Sequence, residues 1–198
     1  MNWDIENSFY EKGYKVICGT DEAGRGPLAG PVFASAVILP TGFEIEGLND
    51  SKKLSEKKRE ALFEVIKKEA LAYAVCSASV EEIDELNILN AAQLAMRRSV
   101  SALMPKPDLV LVDGNVARDF DIDAVTVVKG DSKSPNIAAA SILAKVSRDR
   151  VCLEMDREYP EYNFKKHKGY PTKEHMDLVR KFGPCPLHRK TFLKFLEK

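Results

Sequence analysis

The chain has 198 residues, 44% of them hydrophobic and 30% charged, a composition that builds a buried core and excludes intrinsic disorder. Basic and acidic residues number 30 each, so a net charge of zero gives no global reason to expect a polyanionic partner. No stretch approaches the ~18 apolar residues of a membrane span, and residues 1–6 are neither basic nor apolar, which makes the cytoplasm, away from membranes, the expected location.

In chain order, residues 16–20 (Val-Ile-Cys-Gly-Thr) and 32–39 are apolar, β-branched runs separated by a Gly/Pro-rich segment, the pattern of two strands joined by a loop. Ser55 then opens a helical pattern with Ala61, Leu62, Val65 and Ile66 on one face. Residues 71–79 alternate as a strand, and Ser79-Val80-Glu81-Glu82 has the form of a capping box. The short helix it starts gives way to a longer one through Ile88, Ala92, Ala95, Met96 and Leu103, ended by Pro105 and Pro107.

Residues 109–113 (Leu-Val-Leu-Val-Asp) form a continuous apolar run closed by Gly114-Asn115, as in a strand buried on both faces, and residues 124–128 form another strand. Ser134-Pro135 supplies an N-cap and an N1 proline for a long helix whose first turns, Ile137 to Ser141, are mostly small residues that allow close approach to a sheet. Thr172 caps a later helix that Gly183 stops, and residues 192–196 form a last one. Strands followed by alternating strands and helices make an α/β fold with a mixed sheet, and without repeats or a Gly/Ser linker residues 1–198 read as a single domain.

Cys18, Cys76, Cys152 and Cys185 are scattered without a Cys-x-x-Cys pair or Cys/His ligand spacing, so they read as reduced small hydrophobes rather than zinc ligands or disulfides. Cys185, between two prolines, is expected to be the most exposed. Charge is uneven: residues 129–198 carry 16 basic against 9 acidic side chains, leaving +7 there and −7 in the first 128. A basic C-terminal third is compatible with a phosphate backbone lying across it, or with a solvated helical face.

Four carboxylates fall where a sheet-based site needs them. Asp21 and Glu22 end the first strand, Asp113 ends a buried strand, and Asp131 precedes the long helix. Attack on a phosphodiester needs charge stabilisation on the entering and leaving oxygens, which two divalent ions about 4 Å apart supply. Such hard ions prefer oxygen, so converging Asp/Glu without Cys or His is the ligand set expected for Mg2+ or Mn2+. Adjacent strand residues face opposite ways, so Asp21 and Glu22 serve one site only if the chain leaves the strand there, which Gly24 permits. The alternative stays open at this point: Asp113-Gly114 is also a good turn and Asp131 a serviceable cap.

The segment Asp21-Glu22-Ala23-Gly24-Arg25-Gly26-Pro27-Leu28-Ala29-Gly30-Pro31-Val32 resembles the signature of the bacterial ribonuclease HII family (type 2 ribonuclease H). Similar to the same family are Asp50-Ser51-Lys52-Lys53-Leu54-Ser55, residues 109–115, Lys129-Gly130-Asp131-Ser132-Lys133, residues 138–145, His167-Lys168-Gly169-Tyr170-Pro171-Thr172, and His188-Arg189 followed by Thr191-Phe192. The resemblance implies a ribonuclease H-like mixed sheet flanked by helices, with residues from about 160 to 198 as a small helical substrate-binding part. It makes Asp21, Glu22, Asp113 and Asp131 the metal-binding catalytic set.

The resemblance also assigns Gly24, Arg25 and Gly26 to the ribose 2′-hydroxyl and Tyr170 to the sugar of the following deoxynucleotide. Lys52, Lys53, Lys133, Lys168 and Arg189 become candidate phosphate contacts. The implied substrate is an RNA/DNA hybrid or a DNA duplex containing a ribonucleotide, cut by a monomer to leave 3′-hydroxyl and 5′-phosphate ends. The implied role is removal of RNA primers and of single ribonucleotides from DNA. Rival readings are another nuclease on the same fold and a non-catalytic duplex-binding module. A phosphate-cradling NTPase loop at residues 129–134 lacks the second glycine and the Lys-Ser/Thr pair.

Overall fold

Five strands, β1 (Ile17–Ala23), β2 (Val32–Ile38), β3 (Ala72–Ala78), β4 (Leu109–Asp113) and β5 (Asp123–Val127), form one mixed sheet in the order β3-β2-β1-β4-β5. The computed structural model describes residues 1–49 and 51–197; Asp50, which begins one of the family-like motifs, lies outside the described residues. β1 pairs antiparallel with β2 and parallel with β4, with Thr20 opposite Val112 in the last recorded pair of that parallel ladder. β3 joins β2 antiparallel and β5 joins β4 parallel, so the C-terminal ends of three adjacent strands, β1, β4 and β5, lie at one edge of the sheet.

The helices are α1 (Asp4–Tyr10), α2 (Glu56–Glu69), α3 (Val80–Leu86), α4 (Ile88–Ser101), α5 (Pro135–Glu158), α6 (Phe164–His167) and α7 (Lys173–Phe182). Period-two alternation splits the strand residues between two cores. Cys18, Ala34, Ala36, Val110 and Val112 meet Ala91, Ala95 and Met96 of α4 on one face. Ile17, Leu109 and Leu111 meet Ile137 of α5 on the other, beside Val37 packed with Ala140 and Leu143 of α5 and Leu62, Phe63 and Ile66 of α2.

The approach of α5 to β1 is closer than any side chain at Gly19 would tolerate, since a Cβ there would lie 2.3 Å from the Ile137 amide nitrogen. The hydroxyl of Ser35 donates to the Ala140 carbonyl at 2.7 Å, pinning the small-residue half of α5 to the sheet.

Local signals in the sequence are realised at the helix starts. Ser55, Ser134 and Thr172 each accept an N-terminal amide, and Ser79 and Glu82 form the reciprocal capping box. Two features depart from expectation. Residues 192–196 are not a helix but parts of two 3-10 turns, Lys190–Phe192 and Lys194–Leu196. Helix α1, seven residues without a side-chain cap, carries no local signal of its own. It is held by Glu6, fully buried, which accepts from the Ser134 hydroxyl at 2.5 Å and the Asn136 amide at 3.3 Å at the start of α5.

Residues after 159 pack as a separate apolar cluster in which Tyr162, Phe164 and Val179 meet Cys152 and Met155 of α5 and Leu28 and Ala29 of the loop after β1. Backbone bonds join the same two regions: Leu28 N–H to the Gly169 carbonyl, Gly30 N–H to that of Leu187, and Arg189 N–H to that of Leu28, each 2.8 Å. The Gly24–Gly30 loop is thus built into the C-terminal segment as much as into the sheet.

Candidate active site

Asp21 and Asp113 end the α5-facing rows of two neighbouring parallel strands. Extending the register by one residue beyond the Thr20–Val112 pair sets them side by side. Their surroundings agree: Asp21 is buried beside Ser141 of α5, and Asp113 Oδ1 accepts the Gly130 N–H at 2.6 Å. Asp131 follows that glycine, buried in the 3-10 turn Gly130–Ser132. The chain does not leave the strand at Glu22 as expected, since β1 runs on to Ala23. Glu22 starts from the opposite face, near the strand end, where its charge still acts on Asp21, and it binds Arg25 at 3.2 Å.

The electrostatics show which acids share a neighbourhood. Burial, together with the charges of Glu22 and Asp113, holds the Asp21 carboxyl well above the usual carboxylate range, against hydrogen bonds from Ser141 and the Glu22 N–H. Burial also raises Glu22, opposed by Arg25 and reinforced by Asp113. Asp21, Glu22 and Asp113 therefore repel one another across a short gap, while Asp131 is tied in through the turn that bonds Asp113. Among the described residues no three His, Cys, Asp or Glu side chains stand in a ready-made cation cage. The donor set is nonetheless all oxygen, with Asp21 and Asp131 buried and Glu22 and Asp113 partly so, which is the chemistry that suits a hard divalent cation.

Beside the acids lies an open cleft of about 530 Å³ lined by Asp21, Glu22, the Gly24-Arg25-Gly26 turn, Tyr170 and the α5 residues Ser141, Lys145 and Arg148. Gly24 has φ +101°, and a Cβ there would lie 2.2 Å from Arg148 Nε, so only glycine fits. Gly26 faces Tyr170 across the cleft, its missing Cβ 3.4 Å from the tyrosine ring, and that ring is 41% exposed. Ser51 is fixed to α5 by a 2.9 Å bond between its hydroxyl and that of Ser141, and this sets Lys52 on the cleft wall. Lys145 is oriented by Asp149 at 2.6 Å. Carboxylates at one pole and lysine and arginine along the flank suit a substrate whose own charge is negative but whose reacting phosphate needs bridging cations.

Of the expected phosphate contacts, Lys52 lines this cleft and Lys53, Lys133 and Lys168 do not; Lys133 lies near Met1 and Asp4 on a separate shallow surface. Arg189 corrects the expectation outright. It is fully buried, and its guanidinium is hydrogen-bonded to the carbonyls of Gly24, Arg25, Pro27 and Gly30, so it holds the loop rather than a phosphate. Ser141, Lys145 and Arg148 were given no role from sequence, although their i, i+4, i+7 spacing marks one stripe of α5 and was a usable signal.

Beneath Tyr170 lie three buried neutral histidines, two of them, His188 and His175, linked in a relay, while His167 donates its Nε2–H to the Tyr162 carbonyl and stacks on His175. Backbone N–H groups of Gly169 and Cys185 donate to Nδ1 of His167 and His188, which makes those nitrogens acceptors. His188 Nε2–H then donates to His175 Nε2 at 3.0 Å, and His175 Nδ1–H to the Tyr170 carbonyl at 2.9 Å. Burial pushes His175 and His188 down to about 4. Cys185 is half-buried rather than exposed, with its Sγ 3.2 Å from His188 Nδ1.

The model of the family described as ribonuclease HII matches residues 18–195, nearly the whole chain. The chain belongs to the ribonuclease HII family. A ribonuclease HII from Clostridioides difficile is 58% identical over 190 residues, covering 96% of this chain and 74% of that protein. Another, from Idiomarina loihiensis, is 57% identical over 177 residues, covering 89% and 95%. Among solved structures, the ribonuclease H2 from Pyrococcus horikoshii OT3 superposes with a TM-score of 0.75 at 27% identity, over 92% of this chain and 97% of that one. The chain is accordingly an endoribonuclease of the type 2 ribonuclease H class, and its mixed sheet is the ribonuclease H-like α/β fold.

Proposed function

We propose that this ribonuclease HII hydrolyses the phosphodiester on the 5′ side of a ribonucleotide, in RNA/DNA hybrids and at single ribonucleotides within duplex DNA, leaving a 3′-hydroxyl and a 5′-phosphate. The observation that carries this reading is the shared cleft, in which Asp21 and Glu22 stand beside the Gly24-Arg25-Gly26 turn and face Tyr170. Asp21, Glu22, Asp113 and Asp131 would hold Mg2+ or Mn2+. When bound, the ions supply charge neutralisation at the phosphate and a water of lowered pKa.

The chain's own groups do the rest. The turn backbone, free of a Cβ at two positions, approaches a ribose closely enough to bond its 2′-hydroxyl, the group that separates RNA from DNA. The exposed Tyr170 ring stacks on the next sugar. Lys52 and Lys145 flank the phosphate path, while Lys53, Lys133 and Lys168 meet the backbone further along the duplex. Residues from about 160 onward serve as the substrate-binding part of one domain, and the protein acts as a cytoplasmic monomer in primer removal and ribonucleotide repair.

A duplex with one embedded ribonucleotide, incubated with the purified protein in Mg2+ or Mn2+, is expected to be cut once, and an all-DNA duplex of the same sequence left intact. Cleavage of both would favour a general nuclease on this fold. Asp113→Asn is expected to bind the substituted duplex and not cut it; undiminished cutting would remove Asp113 from the chemistry.

A further inference from the structure

Two large cations lie beneath the cleft: Arg148 is 2% exposed and Arg189 0%, and among the described residues neither forms an ion pair. Their hydrogen bonds go almost wholly to backbone carbonyls. Arg189 takes those of Gly24 at 2.6 Å, Arg25 at 3.1 Å, Pro27 at 2.8 Å and Gly30 at 2.9 Å. Arg148 takes those of Lys168 at 2.9 Å and Ala29 at 3.3 Å, two residues before Tyr170 and at the far end of the same glycine loop, and its guanidinium lies 5.9 Å from the Tyr170 ring centre.

A trans peptide points its C=O and the following N–H in opposite directions. Carbonyls of Gly24 and Arg25 drawn down onto Arg189 therefore turn the N–H groups of Arg25 and Gly26 up and away from it. Both residues are exposed and line the cleft, and among the described residues neither N–H has a hydrogen-bond partner. A third carbonyl held by Arg189 obeys the same geometry: with Pro27 C=O bound below, the Leu28 N–H points out and donates to the Gly169 carbonyl.

We propose that Arg189 is a positioning residue that presents the Arg25 and Gly26 N–H groups as paired donors to a ribose 2′-oxygen, with Arg148 fixing the Tyr170 loop at the matching distance. Resting on the reading given under Proposed function, this assigns ribonucleotide selectivity to a buried side chain that never touches the substrate. An arginine is required because one planar fork must reach four carbonyls, more than the three donors of a lysine ammonium satisfy. Burial and the nearby Arg148 push Arg189 down to about 9, so it stays cationic at neutral pH.

The test compares wild type with Arg189→Lys and Arg148→Lys on two duplexes identical except for one ribonucleotide. Arg189→Lys is expected to lower kcat/KM on the substituted duplex at least tenfold while its affinity for the all-DNA duplex stays within about twofold. Loss of affinity for both duplexes together, or unchanged cleavage, would overturn the proposal. Arg148→Lys should weaken discrimination in the same direction, and undisturbed discrimination would count against the pairing.

A second readout avoids any folding defect at Arg189. In the cleavage-silenced Asp113→Asn protein, amide exchange at Arg25 and Gly26 should slow on adding the substituted duplex and not on adding the all-DNA one. Equal slowing by both, or by neither, would contradict the donor assignment. Wild type that cuts no ribonucleotide duplex would instead refute the underlying reading.

Discussion

At the scale of single residues, the candidate site concentrates like charges at a cost to stability. Asp21 sits buried against Glu22 and Asp113 with its carboxyl raised, so its ionised form at neutral pH is a cost to the fold. For an acid whose folded pKa is raised, that cost is present above the folded value and disappears once the pH falls below the ordinary one. Asp21→Asn is therefore expected to raise the melting temperature by a few degrees at pH 7, with the gain shrinking as the pH falls, and to abolish cleavage. Thermal melts at several pH values check this; a variant less stable at neutral pH would contradict the repulsion. The positions of the four acids were legible because each lies near the end of a predicted strand or just before a predicted helix. Arg189 was misread because charged residues near a terminus are normally solvated, and nothing local in a sequence signals that an arginine will be drawn inside by a ring of carbonyls 159 to 165 residues away.

Elements owe their positions to a mixture of local and distant causes. The caps at Ser55, Ser79, Ser134 and Thr172 were readable because their chemistry lies within four residues. Helix α1 and the final 3-10 turns were not, since the first depends on Glu6 meeting Ser134 and Asn136 and the second on Lys190 and Thr191 amides bonding Asp84. In the C-terminal segment α6, α7 and the residues 183–189 are joined through His167, His175 and His188, all held neutral. A histidine with a depressed folded pKa stabilises fully above about 6.5 and loses that contribution as the pH falls toward the folded value, here about 4 for His175 and His188. Stability is thus expected to fall between pH 6.5 and 4 by up to about 1.4 kcal/mol per pH unit for each histidine, less for the pair because they share one bond. Denaturant titrations across that window measure it. His175→Gln should flatten the slope, and an unchanged slope would remove the relay as its source.

For the molecule as a whole, the separation of charge along the chain becomes a separation in space. The acidic first two-thirds supply the strand ends with Asp21, Glu22 and Asp113, and the basic last third supplies Lys145, Arg148 and the Tyr170 loop that face them. Neither half encloses the cleft alone, because the glycine loop after β1 is bonded to Gly169, Leu187 and Arg189 of the C-terminal segment. The mixed sheet was readable from its hydrophobic runs, whereas this closure was not, since it depends on backbone bonds between residues more than 130 positions apart. The central claim, that oxygen ligands gather divalent ions to direct water at the phosphodiester before a ribonucleotide, is tested most directly by mapping the product ends from a duplex carrying one ribonucleotide. The expected result is a 3′-hydroxyl on the upstream DNA fragment and a 5′-phosphate on the ribonucleotide, formed only with a divalent cation present. A 2′,3′-cyclic phosphate would mean that the 2′-hydroxyl itself attacks, and cutting that persists in a chelator would mean that no cation is needed; either would contradict the metal-directed reading.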